Sequence, residues 1–117
     1  MGKATDPRRL RRKKIVQNLF AASLNADHIL TSDEKEIVAS FDALDPIIEK
    51  SAPEWPIDKL NHVDLAILRL AVYELTVDKT NPEKVIVDEA VELAKELGSE
   101  SSPAFVNGVL GSILKSA

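Results

Sequence analysis

Apolar positions along this chain recur three and four residues apart, the interval of a helix with one buried face. Nowhere do they alternate as a half-buried strand requires. Asp6 and Pro7 read as the cap and first residue of an opening helix, in which Ile15, Val16, Leu19, Phe20 and Ser23 follow at helical spacing. Ser32-Asp33-Glu34-Lys35 reads as a cap followed by first-turn acids. It places a second helix start at Thr31 or Ser32, with Ile37, Val38, Phe41 and Leu44 on one side. Pro46 begins another turn through Ile47 and Ile48, and "SAPEWP" ends it.

The segment from Asp58 to Val77 is the most apolar. Leu60, Val63, Ile67, Leu70 and Ala71 form one stripe, and Leu68, Val72 and Leu75 widen it past half the surface, as in a helix packed by several others. A further helix starts near Pro82, shares Ile86, Ala90, Leu93, Ala94 and Leu97 on its apolar face, and stops at Gly98. The last has Ser102 as cap and Pro103 at its first position. The expectation is an all-α bundle of five to seven helices in one domain over residues 1–117. Gly108 sits awkwardly in this scheme, because glycine inside a helix costs about 1 kcal/mol relative to alanine. Close approach of a neighbouring helix, or of a ligand to the backbone, would offset that cost.

Cysteine is absent, so neither disulfides nor thiolate-held metals stabilise the fold, which fits a reducing, cytoplasmic setting. No apolar run approaches the length of a bilayer span, and no membrane partner is expected. Enzyme chemistry has little support. His28 and His62 are the only imidazoles, and neither has a partner at ligand spacing. Glu89, Glu92 and Glu96 fall three and four residues apart, but Lys95 is interleaved and no Glu-x-x-His accompanies them. They read as a solvated helix face rather than a metal site. With no phosphate-binding glycine loop, dinucleotide fingerprint or serine elbow, no cofactor is expected. Arg69, a cation amid "AILRLAV", reads as a part-buried guanidinium paired with a carboxylate from another helix.

Charge changes the picture. The chain carries −4 overall, yet positions 1–14 hold seven basic residues against Asp6 alone, leaving −10 for the remainder. Arg8, Arg9, Arg11, Arg12, Lys13 and Lys14 crowd a helix N-terminus whose dipole already presents positive charge, which works against local stability. A bound phosphate reverses that sign through charge-assisted, bidentate hydrogen bonds. Arg9, Lys13, Gln17 and Phe20 recur along one face, offering phosphate contacts, then an amide for a base edge, then a ring. A single basic site on an acidic body suits single-stranded RNA better than duplex DNA. A single strand bends away from repelling surface and opens its bases to stacking on an aromatic such as Phe105. The bland alternative is a frayed basic start that only aids solubility. If the cluster serves RNA, Arg8→Ala with Arg12→Ala ends binding while thermal stability holds or rises slightly.

"RRLRRKKIVQNLF", "HVDLAILRLAVYEL", "NPEKVIVDEAVELAKELG" and "FVNGVLG", in this order and at these separations, resemble the NusB family of transcription antitermination factors. The resemblance implies an all-α fold of two small helical subdomains, here about residues 6–56 and 57–117. It implies a non-catalytic protein that binds single-stranded boxA RNA together with NusE, a small-subunit ribosomal protein. The assembly would help the transcription elongation complex read through terminators, notably in ribosomal RNA operons. Carried over by position, the RNA-contacting candidates are Arg8, Arg9, Arg12, Gln17, Asp64, Ser101 and Phe105, to which the helix-face reading adds Lys13. Asp64 and Ser101 rest on the resemblance alone. Two departures stand out: residues from about Asn25 to Trp55 are fewer than usual, shortening the first subdomain, and Leu10 stands where many members carry a basic residue. Arg11, Lys13 and Lys14 offset the charge missing at Leu10, whereas the thinner first subdomain bears on RNA affinity and on any homodimer that buries the arginine face. The runner-up reading is a NusE-binding interaction module that has lost RNA binding.

Overall fold

The computed structural model describes residues 6–116, in which the regular structure is helical throughout. Helices α1 (Pro7–Leu24), α2 (Ser32–Ala39), α3 (Phe41–Ser51), α4 (His62–Tyr73), α5 (Glu83–Leu97) and α6 (Ser102–Ser116) are joined by a 3₁₀ turn at Ile57–Lys59 and a π turn at Glu74–Asp78. The all-α expectation holds.

Several boundaries follow directly from local chemistry. The Asp6 carboxylate accepts the Arg8 N–H at 2.9 Å, with Pro7 opening α1. Thr31 and Glu34 cap α2 reciprocally, each side chain accepting the other's backbone N–H. The Asn18 amide donates to the buried Glu34 carboxylate at 2.8 Å, so the cap also ties α2 to α1.

Other boundaries differ from the sequence reading. The segment after Thr31 breaks at Ser40, whose carbonyl accepts from both Ala43 and Leu44, and Pro46 stands inside α3 on an exposed position rather than opening a helix. The central helix starts at His62, not Asp58, because the Asn61 side chain accepts the N–H groups of Val63 and Asp64. Its far end widens into the π turn and stops at Lys79, whose φ of 57° is left-handed. In α6 the register starts one residue early. Ser102 is its first residue, the Ser101 carbonyl accepts the Phe105 N–H, and the Ser102 hydroxyl turns back to accept Ser99 N–H at 2.9 Å.

Helix α4 is the axis of the bundle, with Leu65 through Leu68 and Leu70 through Val72 all buried. One apolar cluster runs from Val16 of α1 through Leu44 and Ile48 of α3 to Leu93 of α5 and Leu110 of α6. Each such aliphatic side chain contributes about 1.5–3 kcal/mol on burial. α1 lies antiparallel to α4: Arg12 meets Glu74 at one end, and Ser23 meets His62 at the other. α1 runs in the same direction as α5, since Arg9 reaches Glu89 and Lys13 reaches Glu96. Arg69 takes the role expected of it, donating twice to Asp45 at 2.9 and 2.8 Å and lying 3.8 Å above the centre of the Phe41 ring.

Candidate nucleic-acid interface

The N-terminal cations are distributed over three neighbours rather than left bare. Arg12, 8 % exposed, donates from Nε and Nη2 to the two carboxylate oxygens of Glu74, both at 2.8 Å. The hydrogen bonds to Glu74 raise the pKa of the Arg12 guanidinium, and the Asn81 amide also donates to the carboxylate. Arg9 makes the same fork with Glu89 of α5, at 2.9 and 2.6 Å. That contact raises the Arg9 pKa and lowers that of Glu89. Lys13 bonds Glu96, and Arg11 reaches Asp33 at 2.8 Å. Arg8 touches Asp6 only at 3.8 Å and is largely exposed, and Lys14 has no carboxylate in reach among the described residues.

Two sequence expectations change accordingly. The crowded charge at the start of α1 is offset by carboxylates from α2, α5 and the π turn, so it does not by itself demand an outside anion. Removing Arg12 would strand a buried Glu74, so the expectation of unchanged stability for the Arg8 and Arg12 double substitution does not survive. Glu89 and Glu96 are likewise counter-ions rather than a merely solvated face. Among the described residues no cluster of three or more acids or imidazoles is placed to hold a metal ion.

What faces solvent is a narrower basic ridge. Arg8, Arg11, Lys14 and Gln17 are exposed at three-residue steps, whereas Phe20 is half-buried. Arg8 and Arg11 open onto a groove of about 380 Å³ between α1, α2 and the π turn, lined also by Tyr73, Thr80 and Asn81. Burial and the nearby Glu36, Asp78 and Asp33 push the Tyr73 pKa up, keeping its hydroxyl a donor. Arg11 belongs to the basic cluster legible in the sequence but not to the RNA-contacting candidates named there. Tyr73 and Asn81 escaped the sequence reading, because the groove exists only once α1, α2 and the π turn pack together.

Asp64, Ser101 and Phe105 gather at another place, where the starts of α4 and α6 meet. Asp64, in the first turn of α4, is buried with Oδ1 lacking a hydrogen-bond partner. Burial raises its pKa, and the neighbouring Ser102 hydroxyl draws it back only in part. Ser101 is exposed, its hydroxyl 3.3 Å from that of Ser99. Phe105 packs one edge on the core and turns another into a groove with Trp55 and Gly108. The ten residue steps from Asp64 in α4 to Glu74, where the π turn begins, span about 15 Å at 1.5 Å per residue. The structure therefore divides the candidates into an arginine end and an Asp64–Phe105 end. Arg9 leans between them, sharing an open groove with Pro103, Ala104 and Asn107 of α6.

Comparison with known proteins bears on this arrangement. Residues 12–115 match the NusB family. Transcription antitermination protein NusB of Clostridium botulinum is 37% identical over 92% of this chain and 98% of its own, and that of Dehalococcoides mccartyi is 37% identical over 95% and 92%. The NusB protein of Chloroflexus aggregans reaches 52% identity over 61% of this chain, a match spanning about half of that relative's length (49%). Among solved structures, T. maritima NusB superposes with a TM-score of 0.81 at 32% identity over 93% of this chain and 91% of its own. A chain from a complex of the antitermination factors NusB and NusE with dsRNA superposes at 0.78, with 27% identity over 94% and 97%. By sequence along nearly its whole length and by fold, this chain belongs to the NusB family.

Proposed function

We propose that this chain is a non-catalytic RNA-binding adaptor of transcription antitermination. It binds a boxA-type single-stranded RNA together with NusE and promotes read-through by the transcription elongation complex, notably in ribosomal RNA operons. The observation that carries the reading is the exposed ridge of Arg8, Arg11, Lys14 and Gln17 on an otherwise acidic body. Such a ridge gives phosphates one place to dock and repels them elsewhere. The likeness to a chain solved with NusE and dsRNA supports both partners in kind. The choice of a single strand rests on charge, since this short ridge lacks flanking cations to track a duplex. Nothing in this role needs a catalytic group or cofactor, and the cytoplasm is the compartment where such an adaptor acts. No helix among the described residues is long and apolar enough to cross a membrane.

The second reading, a NusE-binding module without RNA affinity, draws on a specific observation: Arg9, Arg12 and Lys13 are already held by Glu89, Glu74 and Glu96. A homodimer through α1 would cover the half-exposed Leu10 and compete with RNA for the ridge. Fluorescence anisotropy of a labelled boxA-like RNA separates these, titrated with and without NusE at two salt concentrations. The adaptor predicts salt-sensitive binding that NusE tightens and a scrambled RNA does not reproduce. NusE binding with no RNA binding in either case selects the module, and sedimentation with and without RNA reports the dimer.

A further inference from the structure

The chain's only tryptophan stands on the surface, about half exposed (51%). It is not on a loose loop. Pro53 sets the turn that begins at Ala52, the Trp55 N–H closes it on the Ala52 carbonyl at 3.0 Å, and Ala52 is itself anchored in the core. Pro56 then confines the Trp55 backbone to extended conformations. A large ring is thus carried half in water on a constrained backbone, which neither core packing nor solubility explains.

Across the groove from Trp55 lies α6, contributing Phe105, Gly108 and Val109 around a space of about 260 Å³. Gly108 settles one of the alternatives left open by the sequence. A Cβ built there meets nothing within 4 Å, so no neighbouring helix requires glycine. A residue that weakens the helix, with no packing reason for it, leaves bare backbone as the floor of a slot between two aromatic rings. The space falls below the roughly 300–1,000 Å³ that holds a drug-sized ligand and suits one planar ring. Its only charge is Glu54, which repels phosphate and can accept from a base amine. Ala104 lines both this slot and the groove that Arg9 shares with Asn107, so the two adjoin on α6.

We infer that Trp55 and Phe105 form a stacking slot over Gly108 that takes one unpaired base of the bound RNA, extending the site past Phe105. The inference rests on the RNA-binding reading above. The test uses the full chain and a labelled boxA-like single-stranded RNA, read simultaneously by anisotropy of the label and by the emission of Trp55. Stacking quenches Trp55 in step with the rise in anisotropy. Trp55→Ala weakens binding about tenfold, the scale of one base–aromatic stack, and Trp55→Phe restores most of it. Gly108→Gln, which fills the slot without disturbing the core, weakens binding comparably with a melting temperature unchanged or raised. RNA binding that leaves Trp55 emission and the affinities of the Trp55→Ala and Gly108→Gln proteins unchanged overturns the slot while the RNA reading stands. Emission that answers NusE alone and never RNA also overturns it, assigning the groove to a protein. No RNA binding in the anisotropy channel overturns both.

Discussion

Arg12 and Glu74, 62 residues apart, face each other through two parallel 2.8 Å hydrogen bonds beneath the surface of the bundle. The pair joins α1 to the end of α4, and the π turn beginning at Glu74 contributes the carboxylate. Breaking such a pair from one side leaves a buried charge alone, which costs about 3–5 kcal/mol, whereas replacing both members with apolar residues is often neutral. Arg12→Ala is therefore expected to lower the urea midpoint steeply, and Arg12→Met combined with Glu74→Leu to recover most of the loss. A double-mutant cycle measures this directly. An Arg12→Ala protein as stable as the parent would show that Glu74 is not held by this contact.

The exposed ridge should behave in the opposite way. Arg8→Ala, Arg11→Ala and Lys14→Ala each leave stability within about 0.5 kcal/mol, because these side chains contact water or surface carboxylates. Each that contacts an RNA phosphate lowers the slope of log affinity against log salt by about 0.7 for a single strand. Salt titrations of the three proteins against one RNA identify which positions touch phosphate. A slope that none of them alters would remove the ridge from the binding surface.

The two kinds of arginine show how far the sequence could be read. Helix count, the Asp6 cap, the start of α2 to within one residue (its cap is Thr31 rather than Ser32) and the apolar face of α4 all depend on spacing within a few residues, and spacing is visible in the chain. That Arg69 pairs with a carboxylate of another helix followed from its place on an apolar helix, although Asp45 itself is 24 residues away. Which carboxylates the cations would meet was not visible, because those partners are 22 to 83 residues away. Arg11 and Arg12 are adjacent in sequence, yet one is exposed on Asp33 and the other sealed against Glu74. Arg12 stands three, four and seven residues before Ile15, Val16 and Leu19, on the face of α1 that is buried, and Arg11 is turned away from it. What had no sequence signal is the π turn that supplies Glu74 as the partner. The Tyr73–Asn81 groove and the Trp55–Phe105 slot were hidden for the same reason, each being made by segments distant in the chain. The resemblance supplied Asp64 and Ser101; no periodicity could have singled them out.

Gly98 and Gly111 make a controlled comparison of why glycine is present. A Cβ at Gly98 would stand 2.5 Å from the Ser102 hydroxyl oxygen and 2.9 Å from the Ala94 carbonyl, within the link between α5 and α6. Ser102 is fully buried and accepts the Ser99 N–H, so it has little room to move. Gly98→Ala is expected to destabilise by about 1–3 kcal/mol through overpacking. At Gly111 a Cβ meets nothing within 4 Å, and alanine there should stabilise the helix by up to about 1 kcal/mol. Thermal melts of both proteins should move in opposite directions; a shared direction would contradict the packing at Ser102.

Acid should act on two carboxylates with opposite sign. Glu89 titrates below its ordinary range because Arg9 donates to it, so its stabilisation is present above about pH 4.5 and is lost as pH falls through the folded value. Asp64 titrates above its ordinary range because it is buried, so its ionised form strains the fold at neutral pH and that strain is relieved as pH falls through the raised value. Relative to the parent, Glu89→Gln should be less stable at neutral pH and converge with it in acid. Asp64→Asn should show its largest relative gain at neutral pH and lose it in acid. Urea midpoints followed from neutral pH to about pH 3 distinguish the two.

Glu89 also bears on binding, because the carboxylate that stabilises Arg9 is the one a phosphate must displace. The Arg9–Glu89 fork is partly buried, 24% and 18% exposed at the side chains, and hydrogen bonds of this charged kind contribute about 1.5–3 kcal/mol. A phosphate that takes Arg9 must replace both bonds and leave Glu89 facing water through the groove shared with α6. Glutamine at position 89 keeps one acceptor and removes the charge, so the competition weakens while the side-chain volume stays. Glu89→Gln should therefore lower folding stability and raise RNA affinity together, with Arg9→Ala abolishing the gain in the double substitution. If the affinity of Glu89→Gln for RNA equals that of the parent, Arg9 is a structural residue in this chain, and the phosphates are met by Arg8, Arg11 and Lys14 without it.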